Sequence, residues 1–129
     1  LLTRVELICD RPPSPRLPRP RLHALWSNSL LHHLAEPQVL WQTVRDCARP
    51  GAAVLVMDLA RPATPEAVDR VVAEYAADAP SVLRRDFRNS LFAAFTRDEV
   101  MEQLDLAGLQ GLQVDSVSDR HLAVIGRLS

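Results

Sequence analysis

Apolar residues along this chain fall into two rhythms, short unbroken runs and stripes at helical spacing. Val5 to Cys9 is a short apolar run stopped by Asp10 and two prolines, and it reads as a buried strand. Residues 11–21, rich in Pro and Arg, read as loop. Leu22 to Trp26 is a second strand, broken by Ser27, Asn28 and Ser29. Leu30, Leu31 and Leu34 then make a short apolar turn that carries His32 and His33. Val39, Leu40, Val44 and Cys47 recur at helical spacing after Pro37, which predicts an amphipathic helix over 37–48 ended by Pro50-Gly51. Ala52 to Leu59 is apolar on both faces, the pattern of a central parallel strand covered by helices on both sides.

The second half is mostly helical. Thr64, Pro65 and Glu66 suit the start of a helix whose apolar face is Val68, Val71, Val72 and Tyr75. Pro80 opens another, with Leu83, Phe87, Leu91 and Phe95 on one face. Thr96 and Glu99 are spaced as a capping box for a helix that stops near Gly108. Strands near 112–117 and 121–128 close the chain, and the short turn at Ser118-Asp119-Arg120 forces them to be antiparallel. This alternation argues for a single α/β domain, a three-layer, mostly parallel sheet with an antiparallel hairpin at the end.

Composition narrows the chemistry. The chain has 129 residues and a net charge of −1, which gives no electrostatic case for a nucleic-acid partner. All fifteen basic residues are Arg, so neither a lysine Schiff base nor a P-loop lysine is available. None of the four glycines, at 51, 108, 111 and 126, forms a G-x-G-x-x-G turn. Cys9 and Cys47 lie far apart in apolar surroundings and read as reduced core thiols of a cytoplasmic protein, with no spacing for a metal. No apolar stretch is long enough to span a bilayer.

The order of elements, with Ser27-Asn28-Ser29-Leu30-Leu31-His32-His33-Leu34, the following helix, Pro50-Gly51 and the strand 52–59, resembles the C-terminal part of a class I S-adenosylmethionine-dependent methyltransferase. The hairpin 112–128 resembles the closing hairpin of that fold. The resemblance implies a Rossmann-like methyltransferase sheet, truncated, in which residues 1–9 correspond to the third strand and the first two strands are missing. The glycine-rich first turn and the ribose-binding carboxylate of such enzymes have no match here.

The resemblance implies S-adenosyl-L-methionine as cofactor. It aligns Asp10 and Arg11 with positions near the adenine, and Asn28, Ser29 and Leu30 with the segment beside the methionine part. Asp10 equally suits a turn before Pro12, and Asn28 and Ser29 suit a strand-ending turn. Methyl transfer needs a base when the acceptor is a hydroxyl, a protonated amine or an acidic carbon, and histidine is the natural candidate. His33 is the expected base, placed beyond the strand end on the cofactor rim, with His32 pointing elsewhere. Asp86 and Asn89, three apart on one helix face, are further candidates for an acceptor pocket. Asp58, Arg61 and the turn Asp119-Arg120 fall at the same rim.

The expected function is methyl transfer to a small-molecule acceptor in the intact protein; the alternative is a noncatalytic Rossmann-like interaction domain or a truncated gene product. A nicotinamide-dependent oxidoreductase is disfavoured, since it needs the same absent glycine turn. The expected sheet places 52–58 centrally, with 22–27 on one side and 121–128 then 112–117 on the other. Strand 5–9 is left to close up beside 22–27 or to stay loosely attached. The open edge favours self-association.

Overall fold

A computed structural model describes residues 4–17 and 22–129. The elements are β1 (Leu22–Asn28), a 3-10 turn (Leu31–His33), α1 (Gln38–Cys47), β2 (Ala48–Leu59), α2 (Pro65–Tyr75), α3 (Ser81–Ala93), α4 (Arg97–Leu106), β3 (Gln113–Ser116) and β4 (His121–Arg127). Four strands form one sheet in the order β1-β2-β4-β3, the order that the apolar 52–58 strand and the family resemblance together lead one to expect. β1 and β2 are parallel, and β4 runs antiparallel to both β2 and β3. Three strands therefore point one way and one against them, so only one adjacent pair is parallel.

Local chemistry accounts for the helices. Thr64 caps α2 by accepting the Ala67 N–H, with Pro65 in the first turn. Thr96 and Glu99 form a complete capping box on α4. The start of β2 differs from expectation. Pro50-Gly51 does not end α1, which is finished by Cys47; the pair lies inside the first residues of the strand, where Gly51 adopts φ 81°. That conformation favours glycine, and the register shift between Leu22 and Ala24 absorbs the irregular start.

One face of the sheet carries the main core. Ala52, Val54, Val56 and Asp58 of β2 alternate inward. Trp41 and Val44 of α1 and Val100 and Leu104 of α4 pack with Val54 and Val56. Trp41 is fully buried and donates its indole N–H to Gln103 at 3.0 Å. On the other face Val68 and Val71 of α2 and Leu91 of α3 pack against Leu59, so helices cover only one end of that face. At the other end Trp26, Leu55 and Ile125 form a row across three strands, with Trp26 75% and Ile125 44% exposed.

Two expectations fail in the first segment. Residues 5–9 are not a strand, and Val5 and Leu7 are 54% and 83% exposed. A strand exists by pairing, and the run finds no partner in this sheet. Cys9 is accordingly exposed, whereas Cys47 is buried as expected. Leu1 to Thr3 and Pro18 to Arg21, parts of the expected first strand and loop, lie outside the described residues.

Candidate functional site

The carboxyl ends of β1 and β2 share one rim with the β3–β4 turn, the place where open α/β sheets bind ligands. The turn is tied there by the Ala60 N–H, which donates to the Arg120 carbonyl at 2.8 Å. Arg120 also lies over the Tyr75 ring, 3.5 Å from its centroid, and the Tyr75 hydroxyl donates to Asp119 at 3.2 Å. Asp119 and Arg120 thus fasten the hairpin to α2. Asp119 and burial hold the Tyr75 hydroxyl above its ordinary pKa, burial being the larger cause.

At the end of β1 the chain turns sharply. Ser29 adopts φ 58° and donates its N–H to the Met57 carbonyl at 2.9 Å. A left-handed conformation outside glycine is uncommon and here reverses the chain. The Ser29 hydroxyl donates to Asn28 Oδ1 at 3.3 Å, and both residues are exposed on the rim. Leu30 is half-buried and lines a hollow of about 340 Å³ with Pro12, Ser27, Asn28, Leu40 and Val56. Ser27 Oγ is buried there and has no hydrogen-bond partner among the described residues.

Asp58 ends the inward row of β2 at 1% exposure. Its carboxylate accepts the backbone N–H groups of Leu31 at 2.7 Å, His32 at 3.3 Å and Leu59 at 2.9 Å. His32 Nδ1 lies 2.6 Å from Asp58 Oδ1, with the imidazole 6% and the carboxylate 0% exposed. One side chain of β2 therefore holds the turn after β1. His33, the expected base, is exposed, and its ring lies 4.0 Å from that of His32 at 39°. The signal for Asp58 is present in the sequence: an acidic residue in phase with Ala52, Val54 and Val56 must be buried, and a buried carboxylate needs donors.

The remaining candidates are placed as follows. Asp10 and Arg11 are exposed, and Asp10 accepts from Ser14 Oγ at 2.7 Å and the Arg11 N–H at 2.8 Å. The Ser14 bond, more than the Arg11 one, holds the Asp10 carboxyl below its usual range. Pro12 brings this turn to the hollow beside Leu30. Asp86 and Asn89 are exposed on α3, which packs against the 31–33 turn. Arg61 donates to the Ala94 carbonyl and to Glu99, joining β2 to the start of α4. Among the described residues no three His, Cys, Asp or Glu side chains group to hold a metal, and no helix is long and apolar enough to cross a membrane.

No family model and no curated protein matches this sequence. Solved structures do. A SAM-dependent methyltransferase from Aquifex aeolicus superimposes with a TM-score of 0.63 at 17% identity, over 99% of this chain and 57% of its own. A protein from Bordetella parapertussis described as a possible exported protein gives 0.58 at 19%, over 88% of this chain and 41% of its own. A protein from Nostoc punctiforme described as an O-methyltransferase gives 0.50 at 13%, over 83% and 32%. The chain thus spans less than two thirds of the length of each. Identities this low show the fold alone, a Rossmann-like α/β sheet of the kind these structures share.

Proposed function

We propose that this chain forms part of a methyltransferase domain that transfers a methyl group from S-adenosyl-L-methionine to a small-molecule acceptor. The observation that carries the reading is the hollow at the end of β1, where Asn28 and Leu30 line the space beside the Ser27 hydroxyl, which is buried with no partner among the described residues. An unmade hydrogen bond on a buried hydroxyl is costly and invites a ligand atom. The residues present fit one side of the cofactor: Ser27, Asn28, Ser29 and Leu30 would hold it, and Asp10 and Arg11 would approach from the neighbouring turn. The cofactor brings the reactive methyl group; the protein's part is orientation, water exclusion and proton removal at the histidine turn.

Neither a glycine-rich turn nor a ribose-binding carboxylate at a strand end is found in this sequence. Each missing hydrogen bond to a charged group is worth ~1.5–3 kcal/mol, so two losses weaken affinity roughly a hundredfold or more. Residues 1–129 are therefore expected to bind S-adenosylmethionine on the order of millimolar rather than micromolar. Two-dimensional NMR reads such binding directly. Amide shifts concentrated at 27–31 support the proposal, and their absence at saturating cofactor overturns it.

A second reading, an interaction module without catalysis, is favoured by one specific feature. Trp26, three-quarters exposed, sits on a sheet edge unpaired among the described residues. Exposed aromatic side chains on an open strand edge are the usual material of protein contacts.

A further inference from the structure

We propose that His32, rather than His33, is the proton acceptor of this rim, and that Asp58 is the residue that positions it. The inference rests on the methyl-transfer reading for what the proton transfer serves, but the pair itself is independent of that reading. The short contact between Nδ1 and Asp58 Oδ1 places the ring hydrogen on Nδ1. A neutral His32 then carries its free lone pair on Nε2.

Nε2 has no protein partner among the described hydrogen bonds. Among the described residues, the single side-chain N or O both sealed from solvent and unpartnered is Ser27 Oγ. His32 Nε2 therefore reaches the surface through the 6% of its side chain that stays open. The result is an imidazole clamped from behind by a buried carboxylate and open at one nitrogen, on the rim where a ligand is expected. His33 has no such clamp; its ring rests on that of His32. Asp58 also fixes where the ring sits, because it holds the Leu31 and His32 amides as well. A carboxylate in this position orients the imidazole and stabilises the positive charge it acquires on taking a proton.

The step balances as follows. The acceptor's O–H or N–H bond breaks as an Nε2–H bond forms. The freed electron pair makes the new bond to the methyl carbon, whose bond to sulfur breaks and leaves a neutral thioether. The positive charge moves from sulfur to the His32 imidazole, where the Asp58 carboxylate faces it.

Diethyl pyrocarbonate acylates a neutral imidazole nitrogen that it can reach, and mass spectrometry distinguishes His23, His32, His33 and His121. The folded chain is expected to be acylated at His32 despite its burial. The Asp58→Asn variant should lose most of that reactivity while His23 and His33 keep theirs. An unmodified His32 beside acylated His23 and His33 overturns the proposal, as does unchanged His32 reactivity in Asp58→Asn. Should that variant not fold, the wild-type labelling still decides, together with the Nδ1 proton resonance, which must appear far downfield.

In the intact protein with an identified acceptor, His32→Gln is expected to lower kcat by ~10²–10⁴ with KM little changed. An active enzyme whose His32 is inert to the reagent defeats the dyad and leaves methyl transfer standing. A reactive His32 in a protein that shows no cofactor-induced shifts at 27–31 does the reverse.

Discussion

Asp58 is one carboxylate with four donors around it, three of them backbone amides and the fourth the His32 ring. Replacing it by Ala strands those groups in a site the side chain had satisfied. Leaving a buried donor without an acceptor costs ~1–3 kcal/mol for each group, so Asp58→Ala should lower the urea midpoint by the equivalent of several kcal/mol; a loss near zero would mean the turn does not depend on it. Ser27 makes the opposite case. Its hydroxyl is buried without a partner, and an unpaired buried hydroxyl costs ~1–3 kcal/mol. Ser27→Ala is thus expected to stabilise the ligand-free chain by about 1 kcal/mol and to weaken the cofactor-induced NMR shifts, and clear destabilisation would refute the vacancy. Burial of Asp58 was legible from its phase in an apolar strand. Its choice of His32 over His33 was not, because the two residues lie 26 and 25 positions from Asp58 along the chain and adjacent rings differ only in direction.

The helices were legible because their signals are local. Pro65, Thr64 and the Thr96–Glu99 pair act within one turn of the residues they govern. The run at residues 5–9 misled for the complementary reason: its pattern describes what the run would bury, and says nothing of a strand to pair with. The α4 start also carries a pH signature. Glu99 accepts the Thr96 N–H at 2.8 Å and Arg61 at 2.9 Å. The backbone bond is the larger cause that holds its carboxyl below the ordinary value of 4.5, against an opposing effect of burial. A depressed folded-state pKa adds stability that is full above the ordinary carboxylate value and disappears as pH falls through the lowered one. Glu99→Gln should therefore flatten the acid limb of the stability curve, in urea titrations repeated from neutral pH downwards. Thr96→Ala removes the hydroxyl cap and should cost ~1 kcal/mol, while the Thr96 backbone bond, the larger cause of the Glu99 shift, keeps most of the acid slope in place. An identical acid limb in Glu99→Gln would show that the carboxylate contributes nothing.

At the scale of the whole molecule the sheet is covered on one face and half bare on the other. The central place of β2 was legible in advance because Ala52 to Leu59 is apolar in both phases, and a strand of that kind belongs in the middle; the place of β4 between β2 and β3 came from the resemblance to the methyltransferase fold. The bare patch was not legible, since both-face apolarity shows that cover is wanted and not that this chain supplies it. The consequence is an uncharged edge strand, Leu22 to Asn28, that contains no proline and ends a sheet whose open face carries Trp26, Leu55 and Ile125. Natural edges are blunted by charge, proline or cover, and β1 shows none of these among the described residues. Self-association through β1 is therefore the expected behaviour of residues 1–129, two edges pairing and withdrawing both copies of Trp26 from water. Analytical ultracentrifugation should show mass rising with concentration, while tryptophan emission shifts to the blue as Trp26 is buried; Trp41 is already buried and contributes no shift of its own. Trp26→Lys places a charge on the edge and removes the apolar contact, so it should hold the chain monomeric at concentrations where the unaltered chain associates. A chain that stays monomeric with invariant emission throughout, or a Trp26→Lys variant that associates as strongly, would show that the β1 edge is not the contact.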